Sequence, residues 1–437
     1  MKKSFKFSAL DRQKEIFMRG MGNRKPLIPV SYAELEARAK EVLSEENFAS
    51  IAGGAGKEQG MANNVEAFSK WRIVPRMLND VSEVDLSIEM FGRKLASPLM
   101  LAPVGVIEIA HRQADIAVAK AAAKTQTPFI ISSQASFPTE RITAEMGDAP
   151  RWFQLYWGKS DALMESFVDR AEQSGCEAIV LTVDTKLAGW RVRDLDLGHL
   201  PYLRGKGIAQ YTSDPIFQQL IHEPLSSPIS KPKPSLGAIA TLLALNWRYE
   251  GNFFKNLFSG LPLKAVRKFV DIFTNTALNW DDLTKLREST KLPILIKGIL
   301  HPQDAQKALD YGVDGIIVSN HGGRQVDYNI AAIEALPDIV RVADGKVPVI
   351  MDSGVRSGAD MFIAMALGAS AVCIGRPYVY GLALKGASGV EEVIKNMLAE
   401  FELTMRLSGC SRVGEISKGH LWRDSGEGLS IPERTGH

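Results

Sequence analysis

Between Pro98 and Arg376 the sequence alternates eight short, almost continuously apolar runs with longer amphipathic stretches. Apolar runs of this kind are typical of strands buried on both faces, as in parallel sheets. The stretches between them, such as 161–175 and 301–312, begin at a polar or proline-containing turn and end at glycine, as helices often do. The predicted strands are residues 98–105, 128–133, 151–157, 178–184, 293–299, 315–320, 348–353 and 371–376.

Eight strands, each followed by a helix, favour a closed (β/α)8 TIM barrel over an open doubly wound sheet. The eighth helix is expected from about residue 389 to residue 407. A chain of 437 residues has room for two or three average domains, but barrels often exceed about 250 residues as one unit. We therefore predict one α/β domain over residues 1–437.

Two segments lie outside this repeat. Residues 1–75 contain helical patterns, among them 32–52, and are expected to cover the base or side of the barrel. Residues 190–277 form an insertion between the fourth strand and its helix, with a Pro/Ser/Lys-rich part (223–235) before an apolar part (236–247). A long excursion at this position of a barrel is more often a lid or an interface than a linker. A disordered insertion without a role is the alternative.

Charge and cysteine content narrow the class of protein. A net charge of +2 argues against a dedicated nucleic-acid binder, which usually carries a concentrated basic face. The three scattered cysteines suggest no disulfide framework, and no histidine pattern suggests a metal site. The basic N-terminus lacks the apolar core of a signal peptide, and the apolar run at 236–245 is too short to cross a bilayer. A cytoplasmic protein without membrane attachment is expected.

Polar residues gather where the predicted strands end, which in a barrel is the face that carries the active site. His321 follows the sixth strand beside two glycines, and barrel closure brings it near Asp184 at the end of the fourth. A histidine oriented by a carboxylate can act as a general base near neutral pH, although a solvated bystander is the alternative. Arg191 and Arg324 are candidates for a two-point clamp on a carboxylate.

The ends of the last two strands predict a phosphate site. Gly354 and Gly375 carry no side chain, so their backbone N–H groups can approach phosphate oxygens. Arg356 and Arg376 add charge-assisted contacts beside them. Many barrels bind phosphate here, so this pattern indicates a phosphorylated ligand or cofactor and does not specify which.

With these residues in place, the chain resembles the FMN-dependent 2-hydroxy-acid oxidising enzymes. The segment SNHGGRQVD (319–327) is similar to the signature around that family's catalytic histidine. The similarity covers nearly the whole chain, and within the family it is strongest to the lactate 2-monooxygenase branch. Matching blocks are APVG (102–105), FQLYW (153–157), LTVDT (181–185), IKGI (296–299), DSGVR (352–356) and IGRP (374–377), with IVPRML (73–78), GWRVRDLDLG (189–198), PYLRG (201–205), the insertion and GRPYVYG (375–381) pointing to that branch.

The resemblance implies FMN as the cofactor. The phosphate is expected at the glycines and arginines after strands seven and eight, and the isoalloxazine beside the first four strand ends. Lys297 is expected next to the flavin ring, where a positive charge stabilises the reduced form. The expected cofactor-binding residues are Pro103, Val104, Gly105, Ser132, Gln154, Tyr156, Thr182, Lys297, Ser319, Asp352, Ser353, Gly354, Arg356, Gly375 and Arg376.

The resemblance also implies roles in the reaction. Arg191 and Arg324 are expected to hold the substrate carboxylate, and Tyr156 to hydrogen-bond the carboxylate or the hydroxyl. His321, oriented by Asp184, is expected to take a proton while two electrons pass to the flavin. In the monooxygenase pattern O2 reacts before the 2-oxo acid leaves, so lactate yields acetate, CO2 and water.

Two positions depart from the family pattern. Ser50 stands where the family has a tyrosine before the AGGAG block, a residue that helps to hold the substrate carboxylate. Gln134 stands where relatives often have an apolar or aromatic residue. Both changes predict a more polar and roomier pocket and leave the identity of the 2-hydroxy acid open.

The sequence leaves three alternative functions open. The chain could be an oxidase that releases hydrogen peroxide, or a dehydrogenase that passes electrons to another acceptor and takes a larger substrate. The third alternative is a flavin-binding protein with little turnover. The expected partners are a small 2-hydroxy acid, O2 and further copies of the chain in a tetramer or octamer.

Overall fold

A computed structural model describes residues 7–226 and 235–423, and its central feature is a closed barrel of eight parallel strands. The barrel strands run in sequence order around the ring, and the last pairs with the first. This confirms the predicted TIM barrel. The strands are β1 (Trp71–Ile73), β2 (Ile88–Met90), β3 (Arg93–Leu95), and the barrel strands β4 (Leu99–Leu101), β5 (Phe129–Ser132), β6 (Arg151–Leu155), β7 (Ile179–Thr182), β8 (Ile294–Ile299), β9 (Gly315–Val318), β10 (Val349–Met351) and β11 (Ala371–Ile374), followed by β12 (Leu421–Arg423).

Every barrel strand leads into a helix on the outside, although six α-helices intervene after β7 in the described part of the insertion. The helices are α1 (Ala9–Met21), α2 (Tyr32–Val42), α3 (Glu45–Ala52), α4 (Gln59–Glu66), α5 (Ala114–Thr125), α6 (Thr139–Ala144), α7 (Asp161–Gln173), α8 (Val192–Asp196), α9 (Ala209–Thr212), α10 (Pro215–Leu220), α11 (Leu236–Arg248), α12 (Phe253–Ser259), α13 (Leu261–Phe273), α14 (Asp281–Ser289), α15 (Pro302–Asp310), α16 (Ala332–Ala343), α17 (Gly358–Ala366) and α18 (Arg376–Leu407).

The N-terminal helices only partly follow the expectation of a cover over the base or side. The pattern at 32–52 forms two helices because the backbone is extended at Leu43, and Ser44 then caps α3 by accepting a hydrogen bond from the Asn47 N–H at 3.3 Å. The helices α1 and α2 pack against α18 on the side of the barrel. The helix α3 instead lies at the carboxyl end of the strands, where Ser50 and Ile51 line a cavity.

The last helix begins earlier than expected. It starts at Arg376, directly after β11, rather than near residue 389. It is interrupted at Lys385 and Gly386, and Gly386 has the left-handed φ of 57° that glycine adopts readily. The early start places Arg376 at the mouth of the barrel.

The amino end of the barrel is closed by the hairpin of β2 and β3. Met90 and Leu95 from this hairpin pack against apolar side chains that fill the barrel interior. Phe91 adds a ring contact with Trp152 at a centroid distance of 5.6 Å. The interior is therefore apolar at its base, and the polar groups lie at the carboxyl end. The interior residues are Met100, Ile130, Trp152, Val180, Leu295, Ile317, Ile350 and Cys373.

The insertion is helical over its described residues and folds back onto the barrel. Tyr211 lies at its centre, with ring centroids 4.8 Å from Phe269 and 5.0 Å from Phe167 of α7. Glu108, in the loop after β4, accepts a hydrogen bond from the Gly207 N–H at 3.0 Å and forms an ion pair with Arg248 of α11. Most of the Pro/Ser/Lys-rich part at 223–235 lies outside the described residues.

The outer face of the insertion is apolar and exposed. Leu236 and Trp247 of α11 and Phe254 and Phe258 of α12 all expose more than half of their surface. Exposed apolar patches often mark contact surfaces.

In residues 7–226 and 235–423, no helix combines the length and apolar character needed to cross a bilayer. Assembly into an oligomer stays a prediction.

Candidate active site

A cavity opens at the carboxyl end of the barrel, with about 1460 Å³ of space unfilled by atoms when its mouth is included. Its walls come from the strand ends, from α3 and from the insertion. Asp184, Ser132 and Ser319 are not in the wall but contact residues that are. Gln154 lies behind the wall, where it accepts a hydrogen bond from Ser132. The other residues predicted from the sequence line it: Ser50, Pro103, Val104, Gly105, Tyr156, Thr182, Arg191, Lys297, His321, Arg324, Asp352, Ser353, Gly354, Arg356, Gly375 and Arg376.

His321 is held in one orientation. Its Nδ1 lies 2.7 Å from Asp184 Oδ1, which also accepts the Thr185 hydroxyl at 2.7 Å. Because the carboxylate can only accept, Nδ1 carries the proton and Nε2 keeps its lone pair. The backbone of His321 has a left-handed φ of 58°, a strained value for this residue, and its N–H donates to Ser319 Oγ at 3.0 Å.

Burial sets the charge state of this pair. Burial lowers the pKa of His321 below 6.5, and Lys297 adds to this effect while Asp184 opposes it. The imidazole is therefore mostly neutral at pH 7. Burial on its own raises the pKa of Asp184, but His321, Lys297 and the hydrogen bonds from His321 and Thr185 together hold it well below its usual range. The site thus offers a neutral imidazole backed by a carboxylate.

Lys297 is a buried cation between two carboxylates. Its Nζ lies 3.4 Å from Asp352 Oδ2 and 3.6 Å from Asp184 Oδ2, and donates to Ser319 Oγ at 2.9 Å. Burial on its own lowers the pKa of Lys297, but Asp352 and Asp184 more than offset this and raise it above its usual value. The lysine stays charged, and β8 carries it beside Thr182 of β7 in register.

Two arginines face the cavity without a carboxylate partner. Arg324 Nη1 donates to the Gly53 carbonyl at 2.7 Å, and Arg191 Nη2 donates to Gln325 Oε1 at 3.1 Å. Within the described residues, neither arginine forms an ion pair. Burial, followed by the like charges of Arg191 and Arg376, lowers the pKa of Arg324 well below its usual value. Uncompensated guanidinium groups of this kind favour an anion, and their planar shape suits a carboxylate.

The other end of the cavity carries Arg356 and Arg376. Arg376 uses three of its five N–H groups on backbone carbonyls of Ile51, Gly53 and Gly322, at 3.1, 2.9 and 2.9 Å. Arg356 Nε is buried without a hydrogen-bond partner among the described residues. Both arginines therefore keep N–H groups for an anion at the N-terminus of α18.

Gly354 and Gly375 are required for different structural reasons. A Cβ built on Gly375 meets no atom closer than 3.6 Å, so the space beside it is open, as a phosphate site requires. A Cβ on Gly354 lies only 2.1 Å from the carbonyl oxygen of Asn64, and the φ of Gly354 is 96°. Glycine at 354 is thus required by packing against α4, which the sequence did not indicate.

Unpartnered polar atoms lie in the cavity wall and directly behind it. Gln154 Oε1 accepts hydrogen bonds from the Ser132 hydroxyl and the Ser133 N–H at 3.2 and 3.3 Å, which leaves Gln154 Nε2 buried without a described partner. Thr182 Oγ1 is likewise buried without a hydrogen-bond partner among the described residues. Buried polar atoms normally find partners, so this pair calls for a polar ligand. Together with the free arginine N–H groups, these atoms fit a phosphorylated cofactor with a polar ring, which is the chemistry of FMN.

Several residues of the site escaped prediction. Asp194 Oδ1 accepts the Ser50 hydroxyl at 2.6 Å, and Tyr202 donates its hydroxyl to Gln134 Oε1. Gln325 joins two loops, because its amide donates to the Asp184 carbonyl at 3.0 Å while it accepts from Arg191. Asp194, Tyr202 and Gln325 all lie inside the sequence blocks that carry the family resemblance, which was the only signal that could have identified them.

The sequence is similar to known FMN-dependent enzymes over most of its length. A family model described as FMN-dependent dehydrogenase matches residues 39–423. An L-lactate oxidase from Lysinibacillus sphaericus is 40% identical over 385 residues, which cover 88% of this chain and 90% of that protein. An FMN-dependent alpha-hydroxy acid dehydrogenase from Schizosaccharomyces pombe is 38% identical, with 91% and 92% covered.

The fold is also similar to that of solved structures. A crystal structure of mandelate oxidase with (S)-4-hydroxymandelic acid superposes with a TM-score of 0.74 at 34% identity, covering 90% of this chain and 98% of that one. The family match spans every cavity residue named above, from Ser50 to Arg376.

Proposed function

This chain belongs to the FMN-dependent dehydrogenase family and is an FMN-dependent 2-hydroxy-acid oxidoreductase, and we propose that it ends its reaction as a lactate 2-monooxygenase does. The net reaction converts an L-2-hydroxy acid and O2 into the acid one carbon shorter, CO2 and water. The observation that carries this proposal is the insertion, because its residues Asp194, Tyr202 and Phe273 form part of the cavity wall.

The substrate enters with its carboxylate towards Arg191 and Arg324, neither of which has an ion-pair partner among the described residues. Tyr156 lies in the same wall. Burial raises the pKa of Tyr156 to about 12, so its hydroxyl keeps its proton and donates a hydrogen bond to the substrate. These three contacts fix the second carbon of the substrate before the reaction.

His321 acts as the general base and takes a proton from the substrate. Its Nε2 holds a free lone pair because Nδ1–H donates to Asp184, and the carboxylate then stabilises the imidazolium that forms. When bound, FMN would supply the two-electron acceptor for this oxidation; Arg356 and Arg376 would hold its phosphate, and Lys297 would stabilise its reduced ring. The same lysine keeps its positive charge through its two carboxylate neighbours.

The end of the reaction depends on the insertion. If the 2-oxo acid leaves first, the products are a 2-oxo acid and hydrogen peroxide. If it stays, the peroxide attacks it and CO2 is lost. The ion pair of Arg248 with Glu108 and the aromatic packing around Tyr211 hold the insertion over the cavity, which favours retention of the product. The similarity to an L-lactate oxidase supports early release as the second candidate.

Product analysis decides between these outcomes. L-lactate labelled with 13C at C1 is turned over under O2, with and without catalase. We expect about one labelled CO2 and one acetate per lactate in both conditions, because the decarboxylation takes place inside the cavity. Pyruvate and peroxide in equal amounts, or CO2 that disappears with catalase, would assign the oxidase reaction instead.

A variant tests the role of the insertion directly. Arg248→Ala removes the ion pair with Glu108 and is expected to shift products towards pyruvate and peroxide. Lys255→Ala, at an exposed position on α12, is the matched control and should leave the product ratio unchanged. Equal product ratios in both variants would remove the ion pair from product retention.

A further inference from the structure

The side chain of Gln134 has one amide atom without a partner. The residue is 4% exposed and lies in the cavity wall, and its Oε1 accepts the Tyr202 hydroxyl. Its Nε2 is buried and has no hydrogen-bond partner among the described residues. This donor belongs to the same cavity wall as Tyr202, Arg191 and Arg324, of which the two arginines are assigned to the substrate carboxylate.

The backbone and side chain of Gln134 are both held in place. Its N–H donates to Ser132 Oγ at 3.0 Å, and its carbonyl accepts from the Val106 N–H at 2.9 Å. The backbone of Gly105 lies so close that a Cβ there would be 2.8 Å from Gln134 Cβ. Burial raises the pKa of Tyr202 far above its usual value, so its hydroxyl stays a donor and turns Oε1 towards itself. The NH2 group of this cavity-wall residue is left without a partner in the described part of the chain.

The charges of the cavity limit what this donor meets. Arg191 and Arg324 contribute two positive charges at the substrate end, and Asp194, which accepts from Ser50, contributes one negative charge. The sum of these three charges is +1, which is matched by the C1 carboxylate that every 2-hydroxy acid carries. The other cations of the wall are engaged, because Lys297 lies between two carboxylates and the remaining arginines are assigned to the FMN phosphate. A second carboxylate on the substrate therefore finds no free cation in the described wall, whereas a neutral oxygen needs only a hydrogen-bond donor.

We propose that the substrate of this chain is a 2-hydroxy acid with a neutral oxygen on its third or fourth carbon, which accepts a hydrogen bond from Gln134 Nε2. This inference rests on the proposed function and specifies its substrate class. A methyl side chain, as in lactate, leaves the buried donor unpaired, and sites built around a polar group discriminate against ligands that lack the matching one. Gln134 is thus a specificity-determining residue, and Tyr202 positions its amide.

Matched substrate pairs test the proposal. L-glycerate and L-lactate differ by one oxygen on the third carbon, and 2,4-dihydroxybutyrate and 2-hydroxybutyrate by one on the fourth. We expect kcat/KM to be about tenfold higher for the oxygen-bearing member of at least one pair, which is ~1.4 kcal/mol. Gln134→Met keeps the size and removes the donor, so this ratio should fall to near one. Gln173→Met, at an exposed position on α7, is the control and should keep the ratio.

A binding measurement separates recognition from turnover. Calorimetry with 3-hydroxypropanoate and propanoate, which have no 2-hydroxyl to oxidise, should show the same preference in the parent holoenzyme and lose it in Gln134→Met. Tyr202→Phe should weaken the preference in both assays, because the amide is then free to turn.

The outcomes distinguish the two proposals. If no 2-hydroxy acid reduces the flavin, the proposed function fails. If they do but the ratios are alike in the parent and in Gln134→Met, only the substrate class fails. A weaker FMN affinity in Gln134→Met with unchanged ratios would assign the amide to the cofactor. A preference for malate over all four acids would replace the neutral oxygen by a carboxylate.

Discussion

Replacing Asp184 by asparagine tests how the candidate base is prepared. The carboxylate accepts from His321 Nδ1 at 2.7 Å, and its other oxygen lies 3.6 Å from Lys297 Nζ. In Asp184→Asn the amide oxygen is drawn to the lysine, so the NH2 group faces Nδ1. Nδ1 must then accept, which moves the proton to Nε2 and removes the lone pair that takes the substrate proton.

The expected loss combines two effects. A hydrogen bond to a charged group contributes about 1.5–3 kcal/mol, which for the imidazolium is roughly a 10- to 150-fold loss in rate. The wrong tautomer adds to this, as the ten-thousandfold effect of the equivalent change in serine proteases illustrates. We expect flavin reduction by a 2-hydroxy acid to slow by at least about 100-fold, measured by anaerobic stopped-flow absorbance. The control is Thr185→Val, which removes one hydrogen bond to the carboxylate but keeps the tautomer, and should cost about tenfold or less.

The pH dependence of flavin reduction provides a second test of Asp184→Asn. The base acts when it is neutral, and burial lowers the pKa of His321 below 6.5, so the parent should keep reducing flavin as the pH falls past 6.5 and lose the rate only below it. Asp184 is the group that raises this pKa, so Asp184→Asn should move the acid limb to lower pH. A variant that retains the parent's rate and acid limb while binding FMN normally would refute the orienting role of Asp184.

Three further predictions concern the cofactor, the base and the pocket. Purified protein should be yellow and release about one FMN per chain on denaturation, because the arginine and amide donors of the cavity suit FMN; a colourless protein that takes up no added FMN would contradict this. His321→Ala should keep FMN but lose flavin reduction by at least ~100-fold, the scale of general base catalysis, whereas an unchanged rate would remove His321 from the mechanism. Ser50→Tyr should lower the KM for lactate about tenfold and raise it for bulkier 2-hydroxy acids, because the ring refills the space beside Asp194 and its hydroxyl reaches the carboxylate. Steady-state constants that stay the same for every substrate would show that residue 50 does not contact it.

The barrel was predictable because each of its strands is buried on both faces and each following helix has one apolar side. These local patterns give the strand order, and the closed ring then brings Asp184, Lys297 and His321 together without further information. The ends of elements were less predictable. The eighth helix starts at Arg376 because Pro377 is tolerated in a first helical turn, whereas the amphipathic pattern becomes clear only later.

The substrate end of the cavity was not predictable from such patterns. Tyr202 and Phe273 reach the cavity because the insertion folds back on aromatic contacts that are distant in sequence. The pairing of Ser50 with Asp194 joins α3 to α8 across 144 positions, and no local periodicity reports such a contact. Only resemblance to a family identified position 50 as part of the site.

The buried cluster around Lys297 has a definite capacity for protons. One lysine cation, two carboxylates from Asp184 and Asp352, and a neutral His321 add up to a net charge of −1. When His321 gains a proton, the cluster becomes electrically neutral. A second proton would leave the cluster with a net positive charge. The cluster therefore holds one substrate proton per turnover, and that proton must pass on, into the water that the reaction forms, before the next substrate can react.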